Sequence, residues 1–395
     1  MTTPMTTLPE RLPERVWSAA QVRELEELAI RAGGVTEYEL MCRAGAAALR
    51  ALLRRWPAAR SIAVICGAGN NAGDGLVVAR LAHAAGRTVK ALLVVPAGRL
   101  KGAAAQAADA CGAAGLAFGA FDARELGNAD VIVDALLGTG LARAVAGDFR
   151  AAVEAVNAAG VPVLALDLPS GLDADTGWPN PVAVRASATV TFLGLKQGLF
   201  LGAAPDYCGA LDFADLELPP ELGAGLSPPM KRLVLAELER ALPRRPRSAH
   251  KGSCGKLLLV GGGPGMPGAI RLAAEAALRV GAGLVYVATH RDSVATVLAG
   301  RPEIICRSVG SAKDLEDLVS VVDGVVLGPG LGQSAWAYGL WRDLLRTDVP
   351  LVLDADGLNL LAAEPIERDD WLLTPHPGEA ARLLGSASVE SVQRD

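Results

Sequence analysis

The sequence predicts two successive α/β domains, each a parallel sheet covered by helices on both faces. Three observations predict this. Apolar, strand-length runs at 61–66, 89–95, 130–135, 161–167 and 187–193 alternate with alanine-rich amphipathic segments, the pattern of a three-layer αβα sandwich. A Pro- and Gly-rich stretch, PPELGAGLSPPMKRL at 219–233, interrupts it and reads as a linker. A second alternation then starts with GKLLLVGG at 255–262 and continues through LVYVAT at 284–289, GVVLGPG at 324–330 and PLVLDADGL at 350–358. The expected boundaries are a first domain over 1–218, the linker over 219–233 and a second domain over 234–395.

The elements follow in order. SAAQVRELEELAIRAG, from position 18, places Val22, Leu25, Leu28 and Ala29 at helical spacing. ELMCRAGAAALRALLRRW continues as a second helix after a Gly-Gly break. The first strand begins at Ser61, and a short strand at 210–216 closes the first sheet. In the second domain, WLLTPHPGEAARLLG reads as a strand, a turn and a helix start.

Composition narrows the function. Of the 395 residues 51% are apolar, 21% charged and only 4% aromatic, so the cores must rest on Ala, Val and Leu. A net charge of −5 supplies no field to attract nucleic acid or an anionic membrane, and neither is expected as a partner. The six cysteines show no C-x-x-C spacing and are expected as free thiols without zinc or disulfides. MTTPMTTLPERLPERVW has no apolar h-region and no long uncharged apolar run follows, so a cytoplasmic protein is expected.

The chemistry concentrates at three strand ends. SIAVICGAGNNAGDG at 61–75, VIVDALLGTG at 131–140 and VLALDLPSGLDADT at 163–176 each run from a strand into a loop bearing a carboxylate beside glycine. Ligands of open α/β sheets bind beyond such ends, so these loops should converge on one site. Asn70, Asn71 and Asp74 lie where a helix start would offer N–H donors. The loop is not G-x-G-x-x-G with a downstream ribose acid, which argues against a plain dehydrogenase. Asp134 and Asp167, with Thr139 and Ser170 nearby, either cap turns or offer oxygens to a hard cation. Lys196, in TFLGLKQGLF, either snorkels to solvent or meets a phosphate or reacting oxygen. In the second half AHKGSCGKLLL precedes a Gly-rich turn that is not a Walker loop, with Lys251 and Lys256 nearby. His376, between Pro375 and Pro377, is either a positioned ligand group or part of an ordinary turn.

Together CGAGNNAGDG, VDALLGTGLARAVAG, DLPSGLDADTG and FLGLKQG resemble the YjeF N-terminal domain, the NAD(P)H-hydrate epimerases. HKGSCGKLLLVGGGPGMPGA, LGPGLG, LDADGLNLL and LTPHPGEAARLLG resemble the YjeF C-terminal domain, the ADP- or ATP-dependent NAD(P)H-hydrate dehydratases. The resemblance covers nearly the whole chain, in the order of the bifunctional NAD(P)H-hydrate repair family. It implies a Rossmann-like αβα domain followed by a ribokinase-like one, acting on hydrated NADH or NADPH.

The resemblance also implies roles. Asn70, Asn71, Ala72, Gly73 and Asp74 would bind the hydrated dinucleotide, as would the loop Gly138, Thr139, Gly140, Leu141, Ala142, Arg143 and Ala144. Asn71, Asp134 and Ser170 would ligate one potassium ion. Asp167 would hold substrate near the reacting ring and act as acid/base, with Lys196 in support. In the second domain Ala269, Gly330 and His376 would contact substrate, with ADP or ATP as cofactor and magnesium as a further candidate. A homo-oligomer is expected.

Two departures from the family pattern stand out. Ala72 replaces a glycine, which would weaken binding if the position needs a positive backbone angle. The family's lysine–glycine nucleotide loop and G-T-G-D block are not among the 395 residues. The expectation is therefore an incomplete ribokinase-like domain that does not complete dehydration in this chain. The alternative is a non-catalytic scaffold, against which stands the retention of Asp74, Asp134, Asp167 and Ser170.

Overall fold

The computed structural model describes residues 12–140, 143–219, 221–242, 244–311, 313–386 and 388–394. The chain separates into two compact units, Met1–Ala241 and Leu242–Asp395.

In the first unit β1 (Arg15–Trp17) leads to α1 (Ala19–Gly33) and α2 (Glu37–Arg55). Each helix opens on a capping box, with Ser18 accepting from Gln21 N and Thr36 from Glu39 N, both at 3.2 Å. Gly34, at φ +62°, ends α1 in the left-handed conformation that the Gly-Gly break foretells. The alternation continues as β2 (Ser61–Cys66), α3 (Asn70–Ala84), β3 (Thr88–Leu93), α4 (Gly102–Ala113), β4 (Phe118–Ala120) and β5 (Val131–Ala135). Next come α5 (Gly147–Ala158), β6 (Val163–Leu166), β7 (Ala188–Phe192), β8 (Leu195–Lys196), β9 (Ala210–Ala214), β10 (Met230–Lys231) and α6 (Leu235–Ala241).

Seven strands form one sheet in the order β4-β3-β2-β5-β6-β7-β9, with every neighbouring pair parallel. Every residue of β5, β6 and β7 is buried, because both faces are covered. Leu52, Leu76, Val77 and Cys111 pack from α2, α3 and α4 in one core, and Val153 and Val156 of α5 join Ile65 and Ile132 in another. Small residues let these layers approach. A Cβ on Gly75 would collide with Ala135, and one on Gly73 would stand 2.5 Å from Met41 Sδ.

The stretch 219–233 is not a free linker. β10 pairs antiparallel with β1, which pairs parallel with β8, and Arg232 N donates to Glu14 O at 2.7 Å. Gly223 lies against Leu25. Pro and Gly mark turns here, and the turns are packed on the first unit.

The second unit comprises β11 (Lys256–Val260), α7 (Pro267–Val280), β12 (Leu284–Thr289), α8 (Val294–Leu298), β13 (Ile305–Ser308), α9 (Lys313–Val319) and β14 (Gly324–Leu327). It continues with α10 (Ala335–Leu344), β15 (Leu351–Leu353), α11 (Asp356–Ala363), β16 (Trp371–Leu373), α12 (Pro377–Leu383) and α13 (Val389–Arg394). Its sheet runs β13-β12-β11-β14-β15-β16, also all parallel. Trp341 is fully buried and donates to Gly357 O at 3.1 Å, so its ring sits in the core with its polar atom satisfied.

Strand order reverses between β2 and β5 in the first sheet and between β11 and β14 in the second. A crevice opens at such a switch point. Both are lined by backbone: a Cβ on Gly67 would strike Leu136 O, and one on Gly261 would strike Pro329 O. No helix among the described residues is long and apolar enough to cross a membrane.

Gly75→Ala should test the closeness of α3 to the sheet. Helix propensity gains about 1 kcal/mol, but overpacking costs about 1–3 kcal/mol, and Ala135 lies on a strand that cannot retreat. The expected outcome is a lower urea midpoint with unchanged slope, and a larger drop for Gly75→Val.

Candidate active site

A cavity of about 720 Å³ opens beyond the carboxyl ends of the central strands of the first unit. Asn70, Asn71, Asp74, Gly138, Thr139, Gly140, Arg143, Ala144, Asp167 and Lys196 all line it, so residues far apart in sequence converge as their strand ends predict. Leu141 and Ala142 lie outside the described residues. Ala72 and Gly73 do not line the cavity. They occupy the first turn of α3 with Ala72 fully buried in the core, and Gly73 is set against Met41. Ala72 is helical and does not have a positive φ, so alanine there carries no backbone penalty.

Asp167 follows β6 with φ +66°, a conformation sparsely populated by residues other than glycine. Its N–H donates to Val190 O at 2.7 Å, which holds the turn. The Lys196 ammonium donates to Asp167 Oδ1 in a tight ion pair, to Thr191 Oγ1 at 3.0 Å and to Phe192 O at 2.9 Å. All three ammonium protons therefore have acceptors. Lys196 is 1% exposed, which excludes the snorkelling alternative. β8, which carries it, is held by β1 through the Trp17↔Lys196 register, and Trp17 lies against Gly194.

Asp134 and Ser170 form a second cluster, and both are buried. Ser170 Oγ donates to Asp134 Oδ1 at 2.6 Å, and Ser170 N donates to Oδ2 at 2.8 Å. Leu137 N donates to Ser170 Oγ at 2.8 Å, and Asn71 Nδ2 donates to Leu137 O, also at 2.8 Å. Asn71 Oδ1 is buried with no hydrogen-bond partner among the described residues. A buried carbonyl oxygen left open beside a hydroxyl, a main-chain carbonyl and a carboxylate is an all-oxygen donor set, which suits a hard cation. Gly138 joins the two clusters: a Cβ there would lie 3.3 Å from Asn71 Cβ and 4.0 Å from Asp167 Oδ2.

Burial raises the Asp134 carboxyl to about 6, against the opposing hydrogen bonds from Ser170 and Leu136 N. Asp74 is pushed well up, by burial first and then by Asp167 and Glu26, with Lys196 opposing. Glu26 is raised by burial, then by Asp167 and Glu37, with Lys196 again opposing.

Glu26, Arg23, Glu37 and Arg99 also line the cavity, and sequence reasoning missed them. The available signal was on α1, where Glu26 falls four residues after buried Val22 and beside Leu25, an acid on the apolar face. Glu37 accepts from Asn70 Nδ2 at 2.9 Å and so ties α2 to the start of α3.

In the second unit Ala269 and Gly330 are neighbours across the switch point, since a Cβ on Gly330 would lie 3.4 Å from Ala269 Cβ. His376 stands after β16, and the pattern of bonds makes it a helix cap. Its Nδ1 accepts from Gly378 N at 3.0 Å and its Nε2 lies 3.2 Å from Glu379 Oε1. No hydrogen bond joins it to Ala269 or Gly330 among the described residues.

Residues 37–198 match the family model described as YjeF-related protein N-terminus, and residues 257–395 match that of NAD(P)H-hydrate dehydratase. A bifunctional NAD(P)H-hydrate repair enzyme of Coxiella burnetii is 52% identical over 95% of this chain and 76% of its own length. The one of Escherichia coli is 42% identical over 98% of this chain and 75% of its own length. A solved ADP/ATP-dependent NAD(P)H-hydrate dehydratase from Bacillus subtilis, co-crystallized with ATP/Mg2+, is 30% identical, covering 40% of this chain and 57% of its own, with a TM-score of 0.35. The expectation of a second half that cannot complete dehydration is not borne out by these matches: residues 257–395 match the dehydratase model, and bifunctional relatives align across both halves, with this chain covering 76% and 75% of their lengths.

The raised Asp134 carboxyl sets a pH dependence. The folded state holds this proton more tightly than the unfolded chain, so stability is fullest below about 3.8 and falls as pH rises through about 6. At about 1.4 kcal/mol per unit the loss is roughly 3 kcal/mol. In cation-free buffer Asp134→Asn should remove that part of the slope in urea titrations across this range.

Proposed function

The chain belongs to the family of bifunctional NAD(P)H-hydrate repair enzymes, and we propose from that premise how its two halves divide the work. The first unit interconverts the R and S epimers of hydrated NADH or NADPH. The second dehydrates the S form with ADP or ATP, accompanied by magnesium. The observation that carries the epimerase reading is the ion pair of buried Lys196 with half-buried Asp167, facing a cavity of about 720 Å³ that is also lined by the Asn70, Asn71 and Asp74 turn.

The hydrated ring carries its hydroxyl on a carbon that also bears nitrogen. Protonating the hydroxyl lets it leave as water, with the nitrogen lone pair supplying the electrons, and water returning to the other face inverts the centre. Asp167 is the acid/base in this reading. Lys196 fixes its carboxylate and balances its charge. Gly138, Thr139, Gly140, Arg143 and Ala144 supply one wall for the dinucleotide, and Asn70, Asn71 and Asp74 another. Asn71 Oδ1, Ser170 Oγ and Asp134 are the oxygens that would hold a potassium ion. When bound, such an ion supplies positive charge beside the buried carboxylate. In the second half, Ala269 and Gly330 flank the switch point, and His376 follows β16, two strands away from β14 at the carboxyl ends of the same parallel sheet.

A mixture of R and S NADH hydrate, followed chromatographically with and without ADP, tests this reading. Epimer exchange should proceed without ADP, and NADH should form only with it. Asp167→Ala should slow exchange by about 10²–10⁴-fold and leave ADP-dependent NADH formation from the S epimer intact. Exchange at the unaltered rate would remove Asp167 from the chemistry.

Potassium should raise the melting temperature of the protein above that in choline or lithium salt, by mass action on the folded state. Asn71→Ala, which removes the open oxygen, should abolish the difference. An equal shift in both proteins would place the ion elsewhere.

A further inference from the structure

Inverting a carbon by losing and regaining water makes a demand on both faces of the ring. A proton must reach the leaving oxygen on one face, and another must be taken from the entering water on the opposite face. Asp167 and Lys196 stand together at the strand ends and supply one such position. A second proton-transfer group has to come from a different wall.

Glu26 meets that requirement. It lies on α1, beside Val22 and Arg23, and these three residues line the cavity from a helix outside the strand-end loops. Its carboxyl is half-buried and makes no hydrogen bond or ion pair among the described residues. The charged groups acting on it are Asp167, Glu37 and Glu27, which disfavour ionisation, and Lys196, which favours it. Asp74 feels the Glu26 charge in turn. Lys196 is already paired with Asp167, so among the described residues of the lining no buried cation is left for Glu26. Asp74 is the other acid of the lining with no side-chain partner among the described residues, but it belongs to α3, in the turn that also carries Asn71.

We propose that Glu26 is the second proton-transfer group of the epimerisation, acting on the ring face opposite Asp167; this rests on the epimerase reading above. For one epimer the Glu26 carboxylic acid gives its proton to the hydroxyl oxygen. The C–O bond breaks, its electron pair leaves with the water formed, and the nitrogen lone pair makes the C=N⁺ bond. A water molecule adds to the opposite face, forming a new C–O bond and returning the C=N⁺ pair to nitrogen, while the Asp167 carboxylate takes the proton released. One water is lost, one is gained, and one proton passes from Glu26 to Asp167. The other epimer runs the same step backwards.

The test is epimerisation in H2¹⁸O with the full chain and an enzyme-free blank. The native protein should label both epimers as it interconverts them. Glu26→Gln should epimerise about 100-fold more slowly or worse. It should nevertheless keep exchanging the hydroxyl of one epimer without inversion, because Asp167 can expel and readmit water on its own face. Asp167→Asn should show the complementary exchange, in the other epimer. Glu26→Asp, which keeps the carboxyl, should restore part of the epimerisation. Three results overturn the assignment: Glu26→Gln epimerising at the native rate; equal loss of exchange in both epimers for Glu26→Gln and Glu26→Asp; or one-sided exchange appearing in Asp74→Asn instead. Absence of epimerisation by the native protein would overturn the epimerase reading itself, a result distinct from any of these.

Discussion

The first unit is organised around one costly act, the burial of the Lys196 ammonium. Taking such a charge out of water costs several kcal/mol, which only close acceptors offset. Three are present, the Asp167 carboxylate, Thr191 Oγ1 and the Phe192 carbonyl, and each has its own structural requirement. Asp167 must adopt a left-handed backbone, as must Leu193 at φ +64° just after β7. β8 must lie against β1 so that the lysine enters from the correct side. The small β10-β1-β8 sheet, which adds little core of its own, therefore serves to place one side chain.

The parts of this arrangement that follow from local pattern were readable in the sequence. Asp134 and Asp167 end apolar runs, and a period of strand and helix leaves little choice about where such residues go. The capping boxes at Ser18 and Thr36 are equally local. What could not be read depended on tertiary partners. Nothing in TFLGLKQGLF distinguishes a buried lysine from a snorkelling one, because the deciding residue, Trp17, is remote in sequence. Glu26 was hidden by its helix, which looks like any amphipathic surface element until the cavity beneath it is seen. The Pro-Gly stretch at 219–233 carried a true turn signal, but its packing on the first unit came from strand pairing that composition does not encode.

Ala72 shows how a motif comparison and a structure can weigh the same residue differently. As a departure from a glycine-rich pattern it would weaken binding only if the position needed a positive backbone angle. In the fold it lies in a helix turn facing a core of alanines and leucines, where a methyl group fills space and favours the helix. The glycines that do matter are those whose missing Cβ admits another backbone: Gly67 at Leu136 O and Gly261 at Pro329 O. Each brings two strand ends together where the sheet reverses its order. The same main-chain device thus underlies both halves, and the loops above it differ.

The pairing of β1 with β8 and β10 has a consequence for biosynthesis. Residues 15–17 emerge first, yet their partners are 195–196 and 230–231, so this small sheet cannot close until nearly the whole first unit has been made. Contacts this distant along the chain form late in folding. The strand that carries the lysine therefore gains its β1 neighbour only after residue 196 has been made.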